Sequence, residues 1–299
     1  MKIILLIICC MALHSCTTKP AEVSYQSSIC ISTPPFLKQL GYTGVNAAFS
    51  TSDKKIKGLI YLQAPTITNT PNIKYQDSTW KMAGWLGPIL TDNKGNIWCA
   101  PVPVINVLDN PTELQNNLYK VNATSGKMEM YLTLPTTEKV SVQNPYGILG
   151  LAYNCEANTL YVSTVAGSTR NQQHGKIVCI NTETKTIIST LNCGDAFGLG
   201  VSYKEGYRKL YFGNARNSNI YSIALADNGT FVGEPMLAFS VEGLGPRGDD
   251  KAKKIREDKQ GNLLVSGFEF NFNLTAPTEK QENNYTFYYN QGTEKWTLK

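Results

Sequence analysis

Apolar residues come in short runs broken by turns of Gly, Asn, Asp and Thr, and the runs recur with one grammar. An apolar strand leads into a polar turn, and a second strand rich in aromatic and β-branched residues follows. Four segments share this order: GPILTDNKGNIWCAPV (87–102), GILGLAYNCEANTLYVSTV (147–165), FGLGVSYKEGYRKLYFGNA (197–215) and KKIREDKQGNLLVSGFEF (253–270). A weaker copy is VNAAFSTSDKKIKGLIYLQ (45–63). The second strands centre near residues 60, 97, 160, 210 and 263. Alternation of this kind, bounded by turn residues, predicts antiparallel hairpins.

Further strands follow the pairs. NLYKVN (117–122) and KMEMYLTL (127–134) flank one turn, GKIVCIN (175–181) and TIISTLN (186–192) another. NIYSIAL (219–225) precedes Asp227-Asn228-Gly229, and NYTFYYN (284–290) and KWTL (295–298) close the chain. Four strands per unit, repeated roughly every 50 residues, is the arithmetic of β-propeller blades. No long amphipathic helical window appears, which excludes a helical solenoid. The expected fold is all-β: a propeller of four-stranded blades, six favoured and five possible. Residues 24–43 are the source of the sixth, or of strands that complete another blade. An early strand is expected to close the last blade, since ring closure removes exposed edges. The small residues of GILGLAY, FGLGVSY and VNAAFS fit first strands crowded around an axis.

The first residues follow a different pattern. Lys2 precedes an apolar run of eleven, IILLIICCMAL (3–13), too short to span a bilayer and the right length for a signal-peptide core. The run ends in Leu13-His14-Ser15-Cys16, which resembles a bacterial lipobox. The resemblance implies cleavage before Cys16 and lipidation of its sulfur. Residues 1–15 are then the leader, 16–28 the lipidated cysteine and a polar tether, and 29–299 one propeller domain. Thr17, Thr18, Lys19 and Pro20 place no acid beside the cysteine. By similarity to enteric lipoproteins, this points to an outer-membrane anchor facing the periplasm.

Net charge is +5 and falls to +4 once Lys2 leaves with the leader. The cations are dispersed among acids, so nucleic acid is not an expected partner. Besides Cys16 the mature chain holds Cys30, Cys99, Cys155, Cys179 and Cys193, an odd number with no C-x-x-C spacing. Buried thiols with one bridge are expected rather than a zinc or redox site.

GILGLAYNCEANTLYVSTV and FGLGVSYKEGYRKLYFGNA resemble blades of the senescence marker protein/gluconolactonase family and of NHL-type propellers. That resemblance implies a single divalent metal held on the axis by Glu, Asn and Asp. Here Tyr146 precedes Gly147, Thr164 follows Ser163, Asp195 and Phe197 open the next blade, and Asn214 follows Gly213. The family's carboxylate and carboxamide are out of register at these positions.

Propeller topology puts the loops before each first strand and those between second and third strands on one face. Long irregular loops on one rim are where binding is commonly built. The candidate rim residues are Asn46, Trp85, Tyr146, Arg170, His174, Asp195, Arg216, Arg247, Asp249, Asp250 and Glu269, with Asp109 in the insert 101–116. Arg247-Gly248-Asp249-Asp250 offers two adjacent carboxylates beside a guanidinium; an Arg–Asp pair holding a turn is the simpler reading. His174 is the only histidine of the mature chain, so a Ser-His-Asp triad would need it and a multi-histidine metal site has no ligands. Trp85 and Tyr146 suit core packing first and stacking on a sugar or peptide second. Asp77-Ser78-Thr79 resembles a short O-glycan acceptor motif of some gut bacteria.

The expected function is a non-catalytic, lipid-anchored propeller of the cell envelope that binds a protein, peptide or glycan, with no cofactor. The alternative is a divergent metal-dependent lactonase or hydrolase, with calcium or zinc on Asn46, Asp195, and Asp249 or Asp250. A third reading is a structural part of an outer-membrane uptake assembly.

Overall fold

The computed structural model describes residues 31–52, 56–64, 73–103, 111–136, 138, 140, 143–203, 208–272 and 282–299. The leader, the lipobox with Cys16, the whole of the tether and Asp109 lie outside these residues.

The chain is a five-bladed all-β propeller, the smaller of the two blade counts that the repeats allowed. Blade 1 holds β1 (Ala47–Ser50), β2 (Ile60–Gln63) and β3 (Ile73–Tyr75), three described strands. Blade 2 holds β4 (Leu86–Thr91), β5 (Ile97–Pro101), β6 (Asn117–Val121) and β7 (Met128–Thr133). Blade 3 holds β8 (Ile148–Asn154), β9 (Thr159–Thr164), β10 (Lys176–Asn181) and β11 (Thr186–Leu191). Blade 4 holds β12 (Ala196–Ser202), β13 (Lys209–Asn214), β14 (Asn219–Leu225) and β15 (Phe231–Ser240). Blade 5 holds β16 (Lys251–Glu257), β17 (Leu263–Phe268), β18 (Asn283–Asn290) and β19 (Lys295–Leu298). All pairings are antiparallel between consecutive strands.

Two expectations are corrected. Among the described residues no early strand completes the last blade: β19 is its fourth strand and pairs with β18 from Phe287↔Leu298 to Asn290↔Lys295. The early segment instead forms helix α1 (Pro35–Gln39), which starts on a proline suited to a first helical turn. Its Phe36 and Leu37 are buried between blades 1 and 2 with Trp80, Ile97 and Met128.

Blades pack face to face, and alternate positions of a strand serve opposite neighbours. Ile97 and Cys99 of β5 join the core shared with blade 1, while Trp98 and Ala100 join the core shared with blade 3. Leu160 and Val162 of β9 face blade 2, and Tyr161 faces blade 4. Tyr211 of β13 turns to blade 5, between Leu210 and Phe212 that turn to blade 3. Both faces of β9 and β12 are therefore buried along their whole length.

The first strands β4, β8, β12 and β16 neighbour one another around the axis. A Cβ on Gly150 would collide with the Phe197 carbonyl oxygen, one on Gly198 with the Lys253 backbone, and one on Gly200 with the Ile255 carbonyl. The glycines of GILGLAY and FGLGVSY therefore serve close packing of backbones.

At one end of the propeller lie the tight turns joining first to second and third to fourth strands. Asp92 accepts from the backbone N–H groups of Lys94 (2.9 Å) and Asn96 (2.8 Å), from Asn96 Nδ2 (2.9 Å) and from Trp98 Nε1 (2.9 Å). Asp258 repeats the turn with Gln260 and Asn262. Asn122, Asn181 and Asn290 each accept two backbone N–H groups at the outer turns. These are Asx-type turns, fixed by residues close in sequence.

Candidate functional site

The opposite rim is built from long-range contacts. Ser168, on the loop between β9 and β10, is 1% exposed, and Asp195, just before β12, is fully buried. Asp195 Oδ1 accepts from Ser168 Oγ and the Gly175 N–H (3.1 Å), and Oδ2 accepts from Arg216 Nε (2.6 Å) and pairs with Nη2. Four donors fill the four lone-pair directions of one carboxylate. Arg216 also donates to the carbonyl oxygens of Thr169 (2.6 Å), Arg170 (2.9 Å) and Gln172 (3.1 Å), which fixes the loop's shape. Arg170 itself is exposed and contributes its carbonyl. His174 is half-buried, and its backbone N–H donates to Ser168 Oγ (2.9 Å).

A second network holds the loop of residues 243–250. Asp250 is 3% exposed and accepts from Asn283 Nδ2 (2.9 Å) and the Tyr285 hydroxyl (2.7 Å). Burial, reinforced by this bond to a carboxylate, raises the Tyr285 pKa. Gly245 and Gly267 pack so close to Asp250 that neither has room for a side chain. Arg247 pairs with Glu269 (3.0 Å), so the expected Arg–Asp pair is corrected to Arg–Glu. Lys251, 7% exposed, donates to the Asp249 carbonyl oxygen (2.6 Å), and its Nζ lies 3.7 Å from Asp249 Oδ2.

Between these networks an apolar cluster gathers at the rim ends of the strands: Tyr146, Leu149, Val165, Phe197, Ala215 and Phe270. The Phe270 ring lies 4.7 Å from Phe197, 5.1 Å from Tyr146 and 4.9 Å from Phe272. Phe272 has φ +62°, a conformation bulky residues rarely adopt, and the Arg216 guanidinium lies 5.0 Å from its ring centre. Tyr146 is thus a core residue, and burial pushes its pKa up to about 12.

Three rim side chains keep unused polar atoms. The Trp85 carbonyl accepts from the Val102 N–H (2.9 Å), but its indole N–H is buried without a partner. Gln115 is 2% exposed; its backbone carbonyl accepts from the Ile148 N–H (3.0 Å), while Oε1 has no partner. Asp249 Oδ1 is likewise unpaired. A buried polar atom without a hydrogen bond costs on the order of 1–3 kcal/mol unless water or a ligand satisfies it. Asn46, at φ +49°, uses its carbonyl to bond the Ala64 N–H (2.9 Å) and close the β1–β2 pair.

The positions considered for a metal therefore fall into separate networks on blades 1, 4 and 5. Asp195 is filled by protein donors, and Asp250 by Asn283 and Tyr285. Among the described residues, no group of three or more His, Cys, Asp or Glu is placed to hold a metal ion. In the O-glycan-like motif, Asp77 caps a 3-10 turn by accepting from the Thr79 N–H (2.9 Å) and hydroxyl (2.6 Å), and Ser78 is exposed. Gln115, Phe270, Ser168, Asn283 and Tyr285 were not among the sequence candidates. The one local signal was the alternation Phe268-Glu269-Phe270-Asn271-Phe272, which marks a strand running on into the rim.

No family model matches the chain, and no curated protein matches it. Solved structures do. The Cps50 (Swd1) β-propeller domain from Myceliophteria thermophila is 12% identical, with 80% of this chain and 65% of that one covered and a TM-score of 0.44. An endo-arabinase from Bacteroides thetaiotaomicron is 17% identical, with 72% and 78% covered and a TM-score of 0.43. A gluconolactonase from Xanthomonas campestris is 13% identical, with 72% and 67% covered and a TM-score of 0.43. The class defined by the fold is the β-propeller, and likeness at this level carries no activity across.

Proposed function

We propose that this is a lipid-anchored β-propeller of the cell envelope that holds a peptide or glycan, alone or as part of a protein partner, on its rim and does no chemistry on it. One contrast carries the reading. The carboxylates a hydrolase would need, Asp195 and Asp250, are committed to protein donors, while Trp85 Nε1 and Gln115 Oε1 are not. A donor and an acceptor at an aromatic rim suit a ligand that offers both, as a sugar hydroxyl or a peptide group does. The Cys155 disulfide favours an oxidising compartment outside the cytoplasm, in keeping with the leader and lipobox.

The test has two parts. Labelled palmitate should enter the protein and disappear with Cys16→Ala; label retained in the variant rejects the anchor. Glycan and peptide arrays probed with the purified protein should give hits weakened about tenfold by Trp85→Phe or Gln115→Ala, the order expected for one lost hydrogen bond. Hits unaffected by either variant would move the binding site elsewhere. Metal-dependent hydrolysis of a sugar lactone would favour the divergent hydrolase instead.

A further inference from the structure

We propose that a disulfide between Cys155 and Cys30, two residues past the tether, staples the N-terminal segment to the turn face of the propeller, and that this face is turned to the membrane with the rim pointing away from it. The membrane half of this proposal rests on the lipid-anchor reading above, and so does the choice of Cys30 over Cys9, Cys10 and Cys16; that Cys155 is bridged to a cysteine before residue 31 does not.

The chain joins the propeller at the turn face. The Ser32 N–H donates to the Asp92 carbonyl (3.3 Å) and the Phe36 N–H to the Ala123 carbonyl (3.0 Å), both in tight turns of blade 2. Pro34 lies against Gly95 and Phe36 against Gly126, so the first described residues are fixed to that end. The buried Phe36 and Leu37 make this attachment part of the core rather than a surface contact.

Cys155 supplies the second observation. It sits in the turn between β8 and β9, on the same face, and it is disulfide-bonded. Cys99, Cys179 and Cys193 carry free thiols. The remaining cysteines of the chain are Cys9, Cys10, Cys16 and Cys30, so the partner precedes residue 31. Removal of the leader takes away Cys9 and Cys10, and acylation occupies the sulfur of Cys16. Cys30 is left. The bond forms by exchange: the two thiols give up two protons and two electrons, and a donor protein disulfide of the envelope is reduced to its dithiol.

Three exposed lysines report on the orientation. Lys38, Lys259 and Lys295 are exposed at the turn face, and no ion pair there engages them. Between Cys16 and Cys30 the chain can reach at most roughly 50 Å, at about 3.5 Å per residue. A segment that enters and is stapled on one face brings that face to the bilayer.

The experiment uses the acylated protein, purified in detergent and returned to vesicles containing phosphatidylglycerol. Digestion without reduction should yield a peptide pair joining Cys30 to Cys155, and Cys30→Ser should leave Cys155 open to alkylation. Linkage of Cys155 to any other cysteine overturns the staple. Lysine acetylation on the vesicles should slow at least threefold at Lys38, Lys259 and Lys295 relative to detergent, and stay unchanged at Lys254. Equal labelling of all four on a protein whose Cys16 peptide carries the acyl mass overturns the orientation and spares the anchor. A Cys16 peptide without that mass rejects the anchor, and with it the membrane-facing claim, while the peptide pair still decides the staple.

Discussion

The two ends of this propeller solve the same problem in opposite ways. At the turn face, each reversal of the chain is held by an Asp or Asn within a few residues of the groups it bonds, as at Asp92 and Asp258. At the rim, loops are held by partners far apart in sequence: Asp195 with Ser168 and Arg216, and Asp250 with Asn283 and Tyr285. At the turn face one buried side-chain atom, Asn154 Nδ2, is left without a partner. The rim leaves an indole N–H, a carboxamide oxygen and one carboxylate oxygen unused. A regular end suits attachment, and an irregular end with unmet hydrogen-bonding capacity suits recognition.

Substitutions should separate the two designs by size of effect. Asp195→Ala should cost the most, about 3–5 kcal/mol in chemical denaturation, because it strands the half-buried Arg216 without its partner. A loss below about 1 kcal/mol would mean that Asp195 is not structural and is free for chemistry. Asp92→Ala should come next, at about 2–3 kcal/mol, since Asn96 and the Trp98 indole lose their acceptor inside the protein. An effect as small as that of an exposed turn would break the claim that bonds local in sequence hold the turn face.

Acid should expose the same asymmetry. For Asp77, burial opposes ionisation, but bonds from Lys127 and Thr79 outweigh it and hold the pKa below its ordinary 3.8. For Asp258, burial is outweighed in the same way by Asn262 and Gln260. A carboxyl whose folded pKa is depressed stabilises the fold above its unfolded value, and that stability is lost as pH falls through the folded value. Stability should therefore drop below about pH 4, and Asp258→Asn should flatten that limb of the stability–pH curve. A curve unchanged by the substitution would remove Asp258 from the account. The smallest effect belongs to Arg247→Ala. Its exposed pair with Glu269 should be worth less than about 1 kcal/mol, and a greater loss would show the rim loop to depend on it.

The turns were readable because their signals are local: Asp92-x-x-Gly95-Asn96 and Asp258-x-x-Gly261-Asn262 are one motif met twice. Strand alternation gave the blades, and Gly150, Gly198 and Gly200 gave the crowded axis. The blade count stayed between five and six because residues 24–43 carried no period that told a docked helix from a strand. The rim loops were located by topology, but not their wiring. Nothing near Asp250 in sequence announces Asn283, and nothing near Asp195 announces Ser168. Gln115 looked like an ordinary polar residue before a strand, and its importance lies in burial without a partner.

If the rim carboxylates hold structure and the rim serves recognition, Asp195 is dispensable for any chemistry. The deciding measurement is metal analysis of the purified protein and of Asp195→Asn, with sugar-lactone hydrolysis followed in calcium, zinc and manganese. The account expects no stoichiometric metal in either protein, no turnover, and a variant that differs from the parent in stability alone. One bound metal per chain, lost together with metal-dependent turnover in Asp195→Asn, would contradict it.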